Sequence, residues 1–572
     1  MKTDLILVHA PSVYDFREKS IMFGPMSDLV PSTPIFEMYP IGFLTMANYL
    51  VRRGFSVRIV NLAYRMLDDR NFDVERFIKK LRPRAFGIDL HWLPHCQGST
   101  EIARIIKKYH HETPIIFGGF SSSYFYRELI DFDQVDYILR GDSTEEPLRQ
   151  LMDIIRAGKF SGLGDVPNLV WKDNKKVNVN PITNISKDLS EVDFDYRLMF
   201  KQVLNYRDIK SIVPFNDWFR YPITTIPVVR GCSNECSGCG GSKSAFKNFG
   251  CRTKPAFREP GKLVDEIKVI QRHIKSPVFL LGDLNDNGPG YIKEFFKNAS
   301  ELNRDTQMFF EFFRPPDNSF FDRAQKIFSN ICYEMSPDSH DEGIRQKMGK
   351  KFSNKELVDS IKYALSKGGM RFDLYFMTGL PGQTKESIME TVDFCRDIYE
   401  DIGWDKRFMP FISPMAPFLD PGSRAFEDPE KFGYKLTRKS LKDHIEAMTM
   451  PSWKHILNYE SKYISKDELV DATYEAAIGL NRLKAKAGGI SKDVAGMNEE
   501  RIVKASKVMS DIDSIMNISD KDIREKKLQL LKEKICDYSM STVCEKKELE
   551  FPLFNRRFNW FEIIKTTFSK IN

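Results

Sequence analysis

Twice along its 572 residues the chain alternates short apolar runs with helical segments, and that alternation restricts it to an α/β architecture. In the first 150 residues the runs are Leu5 to His9, Val57 to Asn61, Ala85 to Leu90, Ile115 to Phe117 and Tyr137 to Leu139. Short, nearly continuous apolar runs separated by helices predict a doubly wound, Rossmann-like parallel sheet. Between the first two runs, Pro40-Ile41-Gly42 opens a helix that Gly54 closes. The pattern restarts at Tyr221 with a strand before Cys232, then Val278 to Leu281, Met308 to Phe313, Ile331 to Glu334, Arg371 to Met377 and Phe408 to Ile412. In sheets and barrels of this kind, ligands gather at the carboxyl ends of the strands.

A chain this long needs two or three separate cores. The expected units are 1–157, a hairpin and linker over 158–215, a second α/β unit over 216–430 and a helical unit over 431–572. The hairpin pairs Asn168-Leu169-Val170-Trp171-Lys172 with Lys176-Val177-Asn178-Val179, and an acidic stretch from Lys187 to Asp195 follows it. No run of eighteen apolar residues appears, which excludes a spanning helix, and the strand-like Asp4 to Val8 argues against a signal peptide. Nine cysteines, three of them in one loop, do not make a secreted disulfide framework and fit a reducing cytoplasm. A net charge of +7 with no basic tail gives no sign of nucleic-acid binding.

The loop Val229-Arg230-Gly231-Cys232-Ser233-Asn234-Glu235-Cys236-Ser237-Gly238-Cys239 carries the spacing CxxxCxxC. Three thiolates this close can hold three irons of a 4Fe-4S cluster and leave the fourth open to a small molecule. A structural zinc site is the alternative, with Cys251 as a fourth ligand. The loop, with its Arg-Gly lead-in, resembles the signature of the radical S-adenosylmethionine (SAM) enzymes. There the open iron chelates SAM and an electron cleaves it to a 5'-deoxyadenosyl radical. That resemblance implies that Cys232, Cys236 and Cys239 ligate the cluster, that the second unit is a partial (βα)6 barrel of the TIM type, and that an electron donor such as ferredoxin or flavodoxin is a partner. Gly238 departs from the family, where the residue before the third cysteine is often aromatic.

The first unit lacks the GxGxxG that a dinucleotide requires. Its Pro40-x-Gly42 helix start, its Gly118-Gly119-x-Ser121 and its Arg140-Gly141-Asp142-x-x-Glu145 resemble the cobalamin-binding domain that precedes the radical SAM core in one large group of these enzymes. The resemblance implies cobalamin contacts from Gly42, Gly98, Gly118, Gly119, Ser121, Arg140, Gly141 and Asp142. It also places His91 and Trp92 near the lower face of the corrin, although a lone histidine such as His91 or His95 is more often an ordinary core or surface residue. The loop His9 to Asp15 has no DxHxxG, so cobalt is expected without a histidine from that position.

Three strand ends of the second unit extend the resemblance. Gly282-Asp283 stands where the family presents a carboxylate to the SAM ammonium, the natural partner for that charge. Glu334 and Ser336 stand where it makes polar contacts to SAM, and Gly379 and Pro381 belong to a Gly-Leu-Pro-Gly-Gln-Thr motif common in this group. As plain structure, Pro381 and Gly382 would make a tight turn. Beyond residue 430 the pattern is helical, and 491–550 reads as solvated helix faces. The tail from Phe551 to Phe568 interleaves aromatics with Arg556, Arg557 and Lys565; such a tail either docks on the body or meets a membrane surface.

The resemblance implies a cobalamin-dependent radical SAM enzyme with three cofactors: a 4Fe-4S cluster, SAM and cobalamin. The leading expectation is methylation of an unactivated carbon in a large, lipid-like substrate that the tail helps present beside the apolar Phe411 to Leu419, with the protein cytoplasmic and peripheral to the membrane. One alternative keeps the cofactors but ends in ring formation, ring contraction or another carbon–carbon bond. Another is a cobalamin-binding protein with structural zinc and no enzymatic role.

Overall fold

The structure is a computed structural model that describes residues 3–24, 35–173, 176–415, 417–535, 543–552 and 557–568. Strands β1 (Thr3–His9), β2 (Val57–Asn61), β3 (Pro83–Asp89), β4 (Ile115–Gly118) and β5 (Tyr137–Leu139) pair in parallel in the order β2-β1-β3-β4-β5. Leu5, Ile6, Leu7 and Val8 are all buried, as expected of a strand covered by helices on both faces. The order reverses between β1 and β3, and a crevice opens there above the strand ends. Helix Gly42–Arg52 follows Pro40 and stops before Gly54, whose φ of +78° few other residues tolerate.

The hairpin β6 (Leu169–Asp173) and β7 (Lys176–Val179) forms where the sequence places it, but it is not a free linker. Antiparallel pairing of Ile138 with Val170 and of Val170 with Val179 extends the first sheet to seven strands.

The second unit is a six-stranded parallel sheet in which every strand pairs with its sequence neighbour. Its strands are Thr224–Pro227, Val278–Leu281, Gln307–Phe312, Asn330–Asp338, Arg371–Thr378 and Phe408–Pro414, a partial (βα)6 barrel. Helix Lys466–Lys486 packs on its last strand and helix Lys492–Met516 packs on that helix, burying Leu480, Ile502, Ala505, Met509 and Ile512 and leaving their charged faces in solvent. Helix Lys521–Ile535 reaches back to the first domain, where Gln529 Nε2 donates to Glu18 O at 2.7 Å and Lys532 Nζ to Phe16 O at 3.0 Å.

Phe551 stands at the amino-terminal foot of the barrel, its ring 5.3 Å from that of Phe309 and its N–H 2.8 Å from the Tyr221 hydroxyl. Phe558 pairs with Ile274, just ahead of the second barrel strand. The described part of the tail therefore lies at the end of the barrel opposite the cysteine loop and does not present substrate at its mouth. Arg556 lies outside the described residues. Phe411, Ile412, Met415, Phe418 and Leu419 are likewise buried and do not form an open apolar rim, because Asn458 and Tyr459 of the C-terminal unit bond to that segment.

Candidate active site

The cysteine loop leaves the first barrel strand and ends at Ser242, whose hydroxyl caps helix Lys243–Gly250. Three neighbours hold it. Ser237 N–H donates to Met348 O at 3.0 Å, Gly240 N–H to Asp420 Oδ2 at 3.0 Å, and Ala425 N–H to Ser237 O at 2.8 Å. Gly349, at φ +100°, passes so close that a Cβ would stand 2.4 Å from Glu235 O. Backbone N–H groups already point at two sulfurs, Asn234 N 3.4 Å from Cys232 Sγ and Gly241 N 3.3 Å from Cys239 Sγ. This arrangement suits anionic thiolate ligands. Burial raises the thiols of Cys232 and Cys239, and that of Cys236 to about 11, so a bound cation is what would hold them ionised.

Cys251 sits past the end of helix Lys243–Gly250, exposed and at φ +54°. Among the described residues no three His, Cys, Asp or Glu side chains gather closely enough to hold a single ion. Beside Gly238, where an aromatic side chain is usual, Met415 Sδ would lie 3.1 Å from an added Cβ and so fills that space.

Inside the barrel, strand register puts Glu311, Glu334 and Asp373 in one row. Asp373 pairs with Arg371 at 2.7 Å. Glu311 Oε2 accepts from Gly282 N–H at 2.7 Å, and Glu334 is its partner in the strand register. Burial lifts the Glu311 carboxyl to about 7, and burial with the neighbouring Glu311 lifts Glu334 well above its usual range. Asp283 is fully buried and spends its oxygens on Asn285 N–H at 2.8 Å and Phe313 N–H at 2.9 Å. Lys350 donates to Ser336 O and, at 2.8 Å, to Asp338 Oδ1, placing a cation between the cysteine loop and the fourth strand.

Gly379 is covered by the C-terminal unit. Tyr434 donates to its carbonyl at 2.8 Å, and a Cβ there would meet the Tyr459 hydroxyl at 2.6 Å. Pro381 is buried in the same turn.

A cavity of about 620 Å³ lies between the two α/β units. Its first wall includes Gly42, His91, Trp92, Gly118, Gly119, Gly141 and Asp142; its second includes Thr225, Arg230, Gly231, Phe279 and Leu281 of the barrel side. Met38, Tyr39, Phe43, Phe194 and Phe215 make much of the remainder apolar. Burial lowers His91 to about 4, so its imidazole is neutral there.

Across this interface Arg230 pairs with Glu145 and Arg252 with Asp142. Burial alone would raise the Glu145 carboxyl, but the Arg230 charge and hydrogen bonds bring it below its usual value.

Residues 226–395 match the family model described as the radical SAM superfamily, and residues 30–149 match the one described as the B12 binding domain. The chain belongs to the radical SAM proteins that carry a B12-binding domain. This radical SAM protein resembles the solved radical SAM methyltransferase TsrM of Kitasatospora setae with cobalamin and a 4Fe-4S cluster bound, at TM-score 0.54 and 16% identity over 77% of this chain and 81% of that one. It resembles the cobalamin-dependent SAM radical enzyme OxsB, solved with aqua-cobalamin and SAM, at TM-score 0.53 and 12% identity over 99% of this chain and 78% of that one. No curated protein matches it.

Three of the expected cobalamin contacts of this radical SAM protein lie outside the cavity lining. Gly98 packs on its own chain, where a Cβ would meet Pro11 O at 1.8 Å. Ser121 donates to His91 O at 3.3 Å, and Arg140 donates to Asn180 O at 2.6 Å under the Tyr126 ring. His95 is buried against Phe36, its Nε2 2.8 Å from Phe36 O. Sequence reasoning passed over Glu311, Lys350, Arg230 and Arg252 as site residues. Arg230 was visible beside the cysteines, and Glu311 had a signal in being a lone carboxylate within the apolar run Met308 to Phe313.

Proposed function

We propose that this protein uses a 4Fe-4S cluster, SAM and cobalamin to methylate an unactivated carbon of a large, mainly apolar, lipid-like substrate. The observation that carries the reading is the cavity of about 620 Å³ between a B12-binding wall and the mouth of the radical SAM barrel. When bound, the cofactors supply reductive SAM cleavage, hydrogen-atom abstraction and a transferable methyl group. The chain supplies the rest.

Cys232, Cys236 and Cys239 hold the cluster in a loop immobilised by Met348, Asp420 and Ala425. Gly42, His91, Trp92, Gly118, Gly119 and Gly141 give the cobalamin wall its shape, the glycines because their lack of a side chain lets a large flat ligand approach. Glu311, with its carboxyl beside Gly282, takes the place near the SAM ammonium that sequence reasoning gave to Asp283, since Asp283 is fully buried and both its oxygens already accept backbone N–H groups. Glu334 and Ser336 offer further polar contact. Phe43, Phe194, Phe215 and Phe279 exclude water and orient an apolar substrate.

An electron donor such as ferredoxin or flavodoxin completes the system. Trp560, Phe561 and Ile564, exposed on the last helix, are read as a peripheral membrane contact. The deciding experiment is anaerobic incubation of the reconstituted protein with SAM and candidate extracts, followed by mass spectrometry. A new species heavier by a CH2 unit supports methyl transfer; a dehydrogenated or isomeric product with no added carbon favours ring formation or contraction.

A further inference from the structure

The segment Arg140 to Glu145 follows the last parallel strand of the B12-binding sheet, and both of its carboxylates are paired with arginines. Glu145 Oε2 receives Arg230 Nη1 at 2.9 Å, its Oε1 receives the other Nη, and Thr45 Oγ1 donates to that same oxygen at 2.8 Å. Asp142 receives Arg252 through Nε and, at 3.1 Å, through Nη2, which also donates to Ser143 Oγ at 3.1 Å and Ser186 O at 2.9 Å. Arg230 lies two residues before Cys232, and Arg252 lies two residues beyond the helix that follows the cysteine loop. The Arg252 stem also packs on the residue next to Arg230, because Gly231, at φ +89°, leaves it room; a Cβ there would be 2.6 Å from Arg252 Cδ.

We propose that Asp142 and Glu145 are positioning residues: by holding an arginine on each flank of the cysteine loop, they set the spacing and angle between the cobalamin wall and the cluster loop. This rests on the reading of the site under Proposed function. A paired guanidinium and carboxylate fix direction as well as distance, which a sliding apolar contact does not. Buried pairs of this kind add little net stability over apolar packing, so orientation is the property they are suited to supply.

The test uses two double variants, Asp142→Asn with Arg252→Gln and Glu145→Gln with Arg230→Gln. Each removes both charges of a pair and so leaves no lone buried ion. In the reconstituted protein, iron and cobalamin content are measured first, then the dipolar coupling between the reduced cluster and cob(II)alamin by pulsed electron paramagnetic resonance. Wild-type content with a widened distance distribution is expected, together with product formation falling about 100-fold while SAM cleavage falls far less. The charge-exchanged pair Asp142→Arg with Arg252→Asp should recover the narrow distribution.

An unchanged distribution with unchanged coupling of SAM cleavage to product overturns the proposal. So does loss of cobalamin from the neutral variants at an unchanged spacing, since that would make the carboxylates ligand contacts. Absence of iron and cobalamin from the wild type would instead sink the functional reading. The clamp is then judged on the cofactor-free chain, where hydrogen exchange over 243–252 must quicken in both variants or the clamp fails as well.

Discussion

Glu311 illustrates how a single side chain sets a pH dependence. Burial raises its folded pKa to about 7, above the value near 4.3 of an exposed glutamate. The sign follows directly. Between those values the unfolded chain gives up its proton while the fold retains it, so the contribution of Glu311 to stability falls as pH rises from about 4 to about 7. Glu311→Gln keeps an acceptor for Gly282 N–H and removes the titration. The cofactor-free variant should therefore gain on the order of 1 to 3 kcal/mol at pH 7.5 and nothing near pH 4, by denaturant unfolding at the two pH values. Equal effects at both pH values would contradict the assignment. The cysteines give a second test at this scale. Cys232→Ala, Cys236→Ala and Cys239→Ala should each abolish the visible absorbance of the cluster and SAM cleavage, whereas Cys251→Ala should retain both because Cys251 faces solvent beyond the helix. Gly349→Ala adds a Cβ against Glu235 O at a left-handed φ, a strain of about 1–2 kcal/mol that should appear first as reduced iron content.

Among elements, the strands were the legible part and the roles of strand-end residues were not. Every barrel strand from Val278 to Pro414 begins or ends within a few residues of its apolar run, because buried parallel strands are apolar over most of their length, the inward row Glu311, Glu334 and Asp373 excepted. The cysteine spacing was equally readable, being contiguous. Asp283, Gly98 and Gly379 were harder for one reason: a strand-end glycine or carboxylate serves a ligand or its own chain with the same residue type. Only packing distinguishes the two, and here Phe313, Pro11 and Tyr459 occupy the approach. The hairpin β6 and β7 read correctly as a hairpin, yet nothing local to it encodes the edge it joins. The interface pair Arg230 and Glu145 carries its own pH signature. The Glu145 pKa is depressed, so its stabilising contribution is complete above about 4.3 and is lost as pH falls through its folded value. Protection of the interface in hydrogen exchange should hold from neutral pH down through the ordinary glutamate range near about 4.3 and be lost only at more acid pH; protection that already fails near about pH 6 would contradict this.

For the molecule as a whole, the C-terminal unit ties both α/β units together and, among the described residues, leaves an apolar face of its last helix uncovered. Trp560, Phe561 and Ile564 are 63%, 75% and 57% exposed on helix Trp560–Phe568, at the foot of the barrel and away from the cysteine loop. Among the described residues no helix is long and apolar enough to cross a membrane. Flotation with anionic vesicles should carry the full chain and leave behind the variant with Trp560→Ser, Phe561→Ser and Ile564→Ser; equal flotation of both would remove the membrane contact. Phe551, buried against Phe309 and Tyr221, serves packing, and Phe551→Ala should cost about 3–5 kcal/mol by thermal or denaturant unfolding.

That contact at the foot of the barrel also imposes an order on synthesis. Tyr221 and Phe551 are separated by 330 residues, so at about 5–20 residues per second roughly 15 to 70 seconds pass between emergence of the strand region and arrival of the residue that closes the space beneath it. Throughout that interval the cysteine loop has been made but the floor of its barrel has no cover. Nascent chains stalled before residue 551 should therefore remain protease-sensitive around Tyr221 and Phe309, while chains released at full length become resistant there.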